Sequence, residues 1–227
     1  MKHFYLTAIT VLVVNLMSMA QNQGWGTVYV EWNPTTIYYT GGVQDKYDDE
    51  LFDIIFNASL SMGYSRTFAL SKSIPIYFEA GAAAQFMYRS ESDDEYREKR
   101  WTETINMLSM KVPANIMYRF HIPNSTVDII PYTGITLRVN LWGNYNFEEG
   151  IRYSKSYNIF SDKDMSHISD YNRFHTAWKR FQMGWQIGAR AHFNNKFVVG
   201  AAFGIDLLEI TMKHKMRSGN FMIGYKF

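Results

Sequence analysis

The side chains best equipped for chemistry lie between Asn144 and Ala177, where Asp164, Ser166, His167, Ser169, Asp170 and His175 follow closely on one another. Hydroxyl, imidazole and carboxylate are the parts of a nucleophilic hydrolase, and they act only when held within hydrogen-bond reach. No apolar period runs through this segment to hold them so, and ordinary polar loop chemistry is the expectation. Two acidic runs offer the hard oxygen donors that divalent cations take: Asp45, Asp48, Asp49, Glu50 and Asp53, then Glu91, Asp93, Asp94, Glu95 and Glu98. Neither has the spacing of a defined calcium loop, so solvated loops are expected. His192 falls on the inward face of an alternating segment, the place of a hydrogen-bonded interior residue rather than a base or ligand. The chain has no cysteine, hence no disulfide, thiolate metal site or lipid-anchored cysteine. No residue is assigned a catalytic, cofactor-binding or metal-binding role, and no cofactor is expected.

The elements that must carry these residues are strands. From Phe181 to Phe193 the residues Phe181, Met183, Trp185, Ile187, Ala189, Ala191 and Phe193 share one face, and Gln182, Gly184, Gln186, Gly188, Arg190 and His192 the other. A period of two sustained this long suits a tilted membrane strand of about 9–11 residues better than a soluble strand of about five or six. The alternation recurs from Phe197 to Leu207, Ile129 to Leu141 and Leu108 to Phe120, and more weakly over Ile76 to Arg89 and Phe56 to Ser65. Val28, Val30 and Trp32 begin a first strand opposite Tyr29 and Glu31, and Pro34 marks a bulge in it. Short links at Ser71–Ser73, Pro123–Ser125 and Asn194–Lys196 alternate with long ones at Thr40–Glu50, Ser90–Arg100 and Asn144–Ala177 and a modest one near Lys213–Ser218. Short periplasmic turns and long external loops are the asymmetry of outer-membrane barrels. The fold class is therefore all-β: a transmembrane antiparallel up-and-down β-barrel of about eight strands. Ten is the alternative, if Ile151 to Phe160 adds a strand pair.

Residues 1–20 read as a signal peptide: Lys2 and His3, an apolar run from Phe4 to Leu16, then Ser18-Met19-Ala20 for cleavage before Gln21. The run is shorter than the roughly 20 residues of a transmembrane helix. Residues 21–227 form the barrel domain. Aromatic residues make up 17% of the chain, an excess that membrane-interface girdles explain, and Trp25, Trp32, Trp101, Trp142 and Trp178 near strand ends are assigned to them.

Phe221, Ile223, Tyr225 and Phe227 alternate to a terminal phenylalanine. With Val112-Pro113 and Tyr118-Arg119-Phe120 in a middle strand, the chain resembles the small bacterial outer membrane protein β-barrel domain family, eight-stranded and porin-like or OmpX-like. That resemblance implies outer-membrane location and recognition of the last strand by the barrel assembly machinery; a type IX secretion component is among the family's members. His167-Ile168-Ser169 is superficially similar to the His-x-Ser step of the lipid A deacylases. Asp170 stands where asparagine usually follows, however, and the step lies in a polar loop rather than on a lipid-facing strand.

Alternation places Glu31, Glu79, Lys111, Arg119, Asp128, Arg138, Arg190, His192, Asp206 and Lys226 inside. Eight strands enclose a space that side chains can fill, and charges of both signs there must pair. The expected function is a non-enzymatic outer-membrane protein with a structural or surface-interaction role, its lumen plugged by charged and polar side chains. A small-solute pore, a barrel subunit of a secretion machinery and a lipid A-modifying enzyme are the competing classes. Expected partners are outer-membrane lipids and lipopolysaccharide, the assembly machinery, and a protein or glycan at the external loops. A net charge of +2 with no basic stripe argues against nucleic acid.

Overall fold

The computed structural model describes residues 24–40, 54–93, 101–149, 153–166, 176–211 and 213–227. The expected signal peptide, the acidic residues 45–53 and 94–98, and His167, Ser169, Asp170 and His175 lie outside them. The strands are β1 (Trp25–Trp32), β2 (Thr35–Tyr39), β3 (Ile54–Ile55), β4 (Ala58–Ala69), β5 (Ile76–Asp93), β6 (Trp101–Tyr118), β7 (Phe120–His121), β8 (Val127–Glu149), β9 (Tyr153–Asn158), β10 (Phe181–Phe193), β11 (Phe197–Asp206) and β12 (His214–Lys226), with one short helix, α1 (Asp162–Ser166).

Each of β1, β4, β5, β6, β8, β10, β11 and β12 pairs antiparallel with the next, and β12 pairs back onto β1. This closes a ring of eight. The short strands extend its members: β2 continues β1 along β12, β3 continues β4, and β7 continues β6 along β8. Strand β9 does fall within residues 151–160, but it pairs only with the far end of β8 and adds nothing to the ring. Eight therefore stands over ten.

Prolines sit where a ladder is already interrupted, which spares the sheet their missing N–H. Pro34 lies in the break between β1 and β2. Register along β12 runs straight through it, whereas Trp32 faces Leu60 and Thr36 faces Ile55 on the other side, one residue out of step. Pro113 falls in the gap between the pairs Ala80–Ala114 and Ala83–Lys111. The short turns use Asn at positive φ, where its side chain tolerates the left-handed region. Asn194 (φ 50) and Asn195 (φ 55) are the two central residues of a tight turn closed by Lys196 N–H to Phe193 O at 3.0 Å.

The wall is uneven in height. Strands β5 and β6 have 18 residues each and β8 has 23, against 13 in β10 and 10 in β11. Because about 9–11 residues cross a bilayer, β5, β6 and β8, joined by β9, rise beyond it as a high wall. Strands β10, β11 and β12 form a low wall. Glu91 and Asp93, expected in a loop, belong to the rising part of β5, and Tyr145 and Phe147, expected in the long loop, to that of β8. At the foot of this rise Leu108 faces Trp142 and Ser109 faces Asn140, leaving Leu141 as an extra residue. This β-bulge turns both Leu141 and Trp142 outward and changes which sequence positions face in.

Candidate functional site

The interior is the part of the molecule whose composition demands explanation, and it has two tiers. All ten residues assigned to the lumen face it. In the lower tier Glu79 is fully buried and takes both guanidinium nitrogens of Arg190, Nη2 at 2.9 Å. Asn115 (2.9 Å) and Ser65 (3.0 Å) donate to the same carboxylate. The Arg190 guanidinium also lies 4.6 Å over the Tyr132 ring. Lys111 Nζ meets Glu31 at 3.1 Å, Arg138 pairs with Asp206, and Arg119 meets Asp128 at 2.6 Å. His121 Nδ1 also contacts Asp128, at 2.9 Å. Small residues make the room: a Cβ on Gly200 would sit 2.9 Å from Arg190 Cγ, and one on Gly134 only 2.1 Å from the Ala114 carbonyl. Near the periplasmic end Lys226 Nζ lies 4.4 Å over the Trp25 ring, with His192 edge-on to that ring at 5.7 Å. His192 is buried against Trp25, and its Nδ1 has no hydrogen-bond partner among the described residues. The expected hydrogen-bonded core histidine is thus an aromatic-packed one.

A cavity of about 30 Å³ remains among Gln85, Lys111, Thr136, Arg138, Asp206 and Asn220. Gln85 Oε1, Thr136 Oγ1 and Arg138 Nε are buried at its edge without a hydrogen-bond partner among the described residues. Its size and polarity suit a water molecule or two.

The upper tier is apolar. Ile37, Phe56, Met87, Ile105, Met107, Tyr145, Phe147, Ile159, Met165, Trp178, Ile210 and Met216 form one buried cluster above the ion pairs. Tyr145 donates to Glu103 at 2.8 Å, and burial, reinforced by that carboxylate, pushes its hydroxyl pKa up. Helix α1 hangs over this cluster by Met165.

The candidate hydrolytic residues that the structure describes are spent on local folding. Asp164 accepts the Asn158 N–H at 3.1 Å, and Ser166 Oγ donates to the Lys163 carbonyl at 2.9 Å. They do not approach each other through a hydrogen bond. Three tryptophans depart from the girdle assignment. Trp25 (7% exposed) is inside the lumen, Trp178 (3%) is in the apolar cluster, and Trp101 packs against that cluster. Trp25 shares parity with Tyr29 and Glu31, a signal that was present in the sequence. Trp32, Trp142 and Trp185 do face outward.

Outside, exposed apolar side chains run round the ring without a gap: Val28 and Val30 on β1, Leu60 and Met62 on β4, Phe86 on β5, Met110 and Val112 on β6, Ile135 and Val139 on β8, Ile187 on β10, Val199 and Phe203 on β11, Phe221 and Ile223 on β12. A soluble surface does not carry such a belt. No helix among the described residues is long and apolar enough to cross a membrane, and a closed sheet is the other form that lipid permits. The chain is an outer-membrane β-barrel protein.

The barrel is similar in fold to several solved structures. These include the Ail attachment invasion locus protein of Yersinia pestis in complex with a heparin analogue, sucrose octasulfate (11% identity, 90% of this chain and 99% of that one, TM-score 0.45). Neisserial surface protein A matches at 12% identity over 88% of this chain and 95% of that one (TM-score 0.43). The outer membrane enzyme PagL matches at 12% identity over 88% and 98% (TM-score 0.43). No protein-family profile matches the sequence, and no curated protein is significantly similar to it.

Proposed function

We propose that the barrel is a closed, non-enzymatic surface protein, anchored by its lower half and working through what it holds above the membrane. What supports this reading is the continuity of filling along the axis. Trp25 stands near the periplasmic end, then come the Arg190–Glu79, Lys111–Glu31 and Arg138–Asp206 pairs, then the apolar cluster. A solute would have to separate buried ion pairs and then cross a dry aromatic layer, each step leaving charges unpaired. Purified barrel in a planar bilayer should pass no steady current, and stable ion-selective channels would overturn the closed reading. Unchanged lipid A, by mass spectrometry of cells with and without the protein, is the matching expectation for the absence of catalysis.

The assembly machinery is a proposed partner through Phe227. That residue exchanges both backbone hydrogen bonds with Gly26 (2.9 and 3.0 Å) at the seam where the ring closes, and its ring stacks on Tyr64. Deleting Phe227 should lower the yield of folded barrel, read as heat-modifiable gel migration, while leaving export intact.

A further inference from the structure

The outward face of the high wall changes character within one cross-strand row. The row Phe86–Leu108–Trp142 is apolar and exposed, the upper edge of the lipid-facing belt on this side. Two residues further along each strand the row is Tyr88–Asn106–Asn144–Asn158. The rows above it, Ser90–Thr104–Asn146–Ser156 and Ser92–Thr102–Glu148–Ser154, are hydroxyls and amides with Glu148 as their charged member.

Strand formation does not ask for such a row, because asparagine is depleted in strands. Nor do the amides hold one another. Asn106 and Asn144 make no side-chain hydrogen bond among the described residues, and Asn158 Oδ1 accepts the Phe160 N–H at 3.0 Å. The bond from Ile159 N–H to the Gly143 carbonyl (3.2 Å) makes Asn144 and Asn158 a non-hydrogen-bonded pair, the kind whose side chains stand closest. The row therefore presents adjacent amides, half-buried or exposed, whose donors are directed away from the sheet's own ladder.

Height and chemistry together select what these groups meet. Two residues rise about 6–7 Å along a strand, so the amide row stands immediately above the apolar belt. Trp142 and Tyr88 mark the headgroup level there, as interfacial aromatics do. Four strands side by side, at about 4.8 Å each, give a face about 14 Å wide. Phosphate is a poor match, since the three polar rows hold no lysine or arginine and Glu148 would repel it. Sugar rings match well: an amide donates to one hydroxyl and accepts from the next, and a tyrosine ring packs on the C–H face of a sugar.

We propose that Tyr88, Asn106, Asn144 and Asn158 bind the uncharged sugar rings of an outer-leaflet glycolipid. Its acyl chains would pack on Phe86, Leu108 and Trp142 directly beneath. Continuity between the lipid-facing belt and the amide row is what commits the occupant to a membrane lipid rather than a soluble glycan. The proposal rests on the surface role proposed above for the high wall and not on the closed lumen, so a conducting barrel and a failed sugar test are separate outcomes.

The test is native mass spectrometry of the full barrel released from detergent, with digalactosyl diacylglycerol and the sugar-free diacylglycerol of the same acyl chains as probes. Wild-type protein should retain the glycolipid about tenfold better, the yield of one or two net hydrogen bonds. N106V/N144V should abolish that preference, while K196Q in a periplasmic turn leaves it intact. Equal retention of both lipids, or an unchanged preference in the double variant, would overturn the proposal. Should that variant fail to fold, the wild-type barrel in nanodiscs containing the glycolipid decides. Nuclear Overhauser contacts between the Asn106 and Asn144 side-chain amides and sugar protons must appear, and their absence refutes it. Displacement of the glycolipid by millimolar free digalactose would refute the lipid assignment in favour of a soluble-glycan site.

Discussion

The two tiers of the interior fill one tube by contrary means. Below, Glu79, Arg190, Lys111, Arg138 and Asp206 are buried as charges and Glu31 is partly buried beside Lys111, while Val30, Met110, Ile135 and Phe203 stand exposed outside. Above, Met87, Met107, Tyr145 and Phe147 are buried, while Ser92, Glu148 and Ser156 are exposed. The medium outside the wall accounts for the difference. Where lipid surrounds the sheet, apolar side chains are useful outside, and the polar remainder is stable inside only as closed networks. Where water surrounds the same strands, the hydrophobic effect acts inward as it does in a soluble barrel. One continuous sheet is thus inside-out below Leu141 and conventional above it.

Breaking the lower tier should have the largest effect. Arg190→Ala leaves Glu79 buried without its counter-charge, held only by the Asn115 and Ser65 hydrogen bonds, at a cost of about 3–5 kcal/mol, read as a lower urea midpoint for loss of heat-modifiable migration. Replacing both partners with apolar residues of similar size should recover much of that loss, and a double variant no better than Arg190→Ala would show that the pair is not what holds the tier. Arg138→Ala should cost less, because its guanidinium borders the small polar cavity where water can reach Asp206.

The upper tier sharpens the contrast through where damage appears more than through how much. Met107→Ala removes a fully buried side chain, for about 2–5 kcal/mol of local stability. Hydrogen exchange should rise in β9 and the far ends of β5, β6 and β8 while the spanning halves stay protected. Equal loss of protection in both halves would mean that the tiers unfold as one unit. Arg180→Ala, which frees the Asn140 and Leu141 carbonyls at the bulge, should cost about 1–3 kcal/mol. Lys163→Ala on the exposed side of α1 should fall within about 0.5 kcal/mol of wild type.

Much of the lower tier was legible in the sequence, because strict alternation over Phe181–Phe193 and Phe197–Leu207 leaves each residue one possible face once a membrane is assumed. Pairing of partners was not, since which of Glu31, Glu79 and Asp206 meets which cation depends on stagger round the ring. The upper tier was largely hidden. Extending the alternation of β8 past Leu141 assigns Tyr145 and Phe147 to the wrong side, and a bulge leaves no mark in residue types that would announce it. Trp25 and Trp178 leave the girdle for a different reason: both lie near strand ends, but Trp25 follows the inward parity of β1 and Trp178 packs into the upper apolar cluster. Of the hydrolytic candidates in the long loop, the two that are described, Asp164 and Ser166, serve as local braces.

The extra residue at Leu141 has a consequence for how such a chain can change over generations. A bulge clasped by Arg180 is a joint between two pieces of strand, each keeping its own rhythm of in and out. Material above the joint can be lengthened, shortened or exchanged without rewriting the pattern that faces lipid below. Loss of Leu141 itself would leave Asn140 inward, Trp142 outward and Gly143 inward, so the strand tolerates a miscount of one at this point, where the same slip a few residues lower would turn every side chain beyond it to the wrong solvent. The surface half is in that sense free to diversify while the anchor is inherited intact.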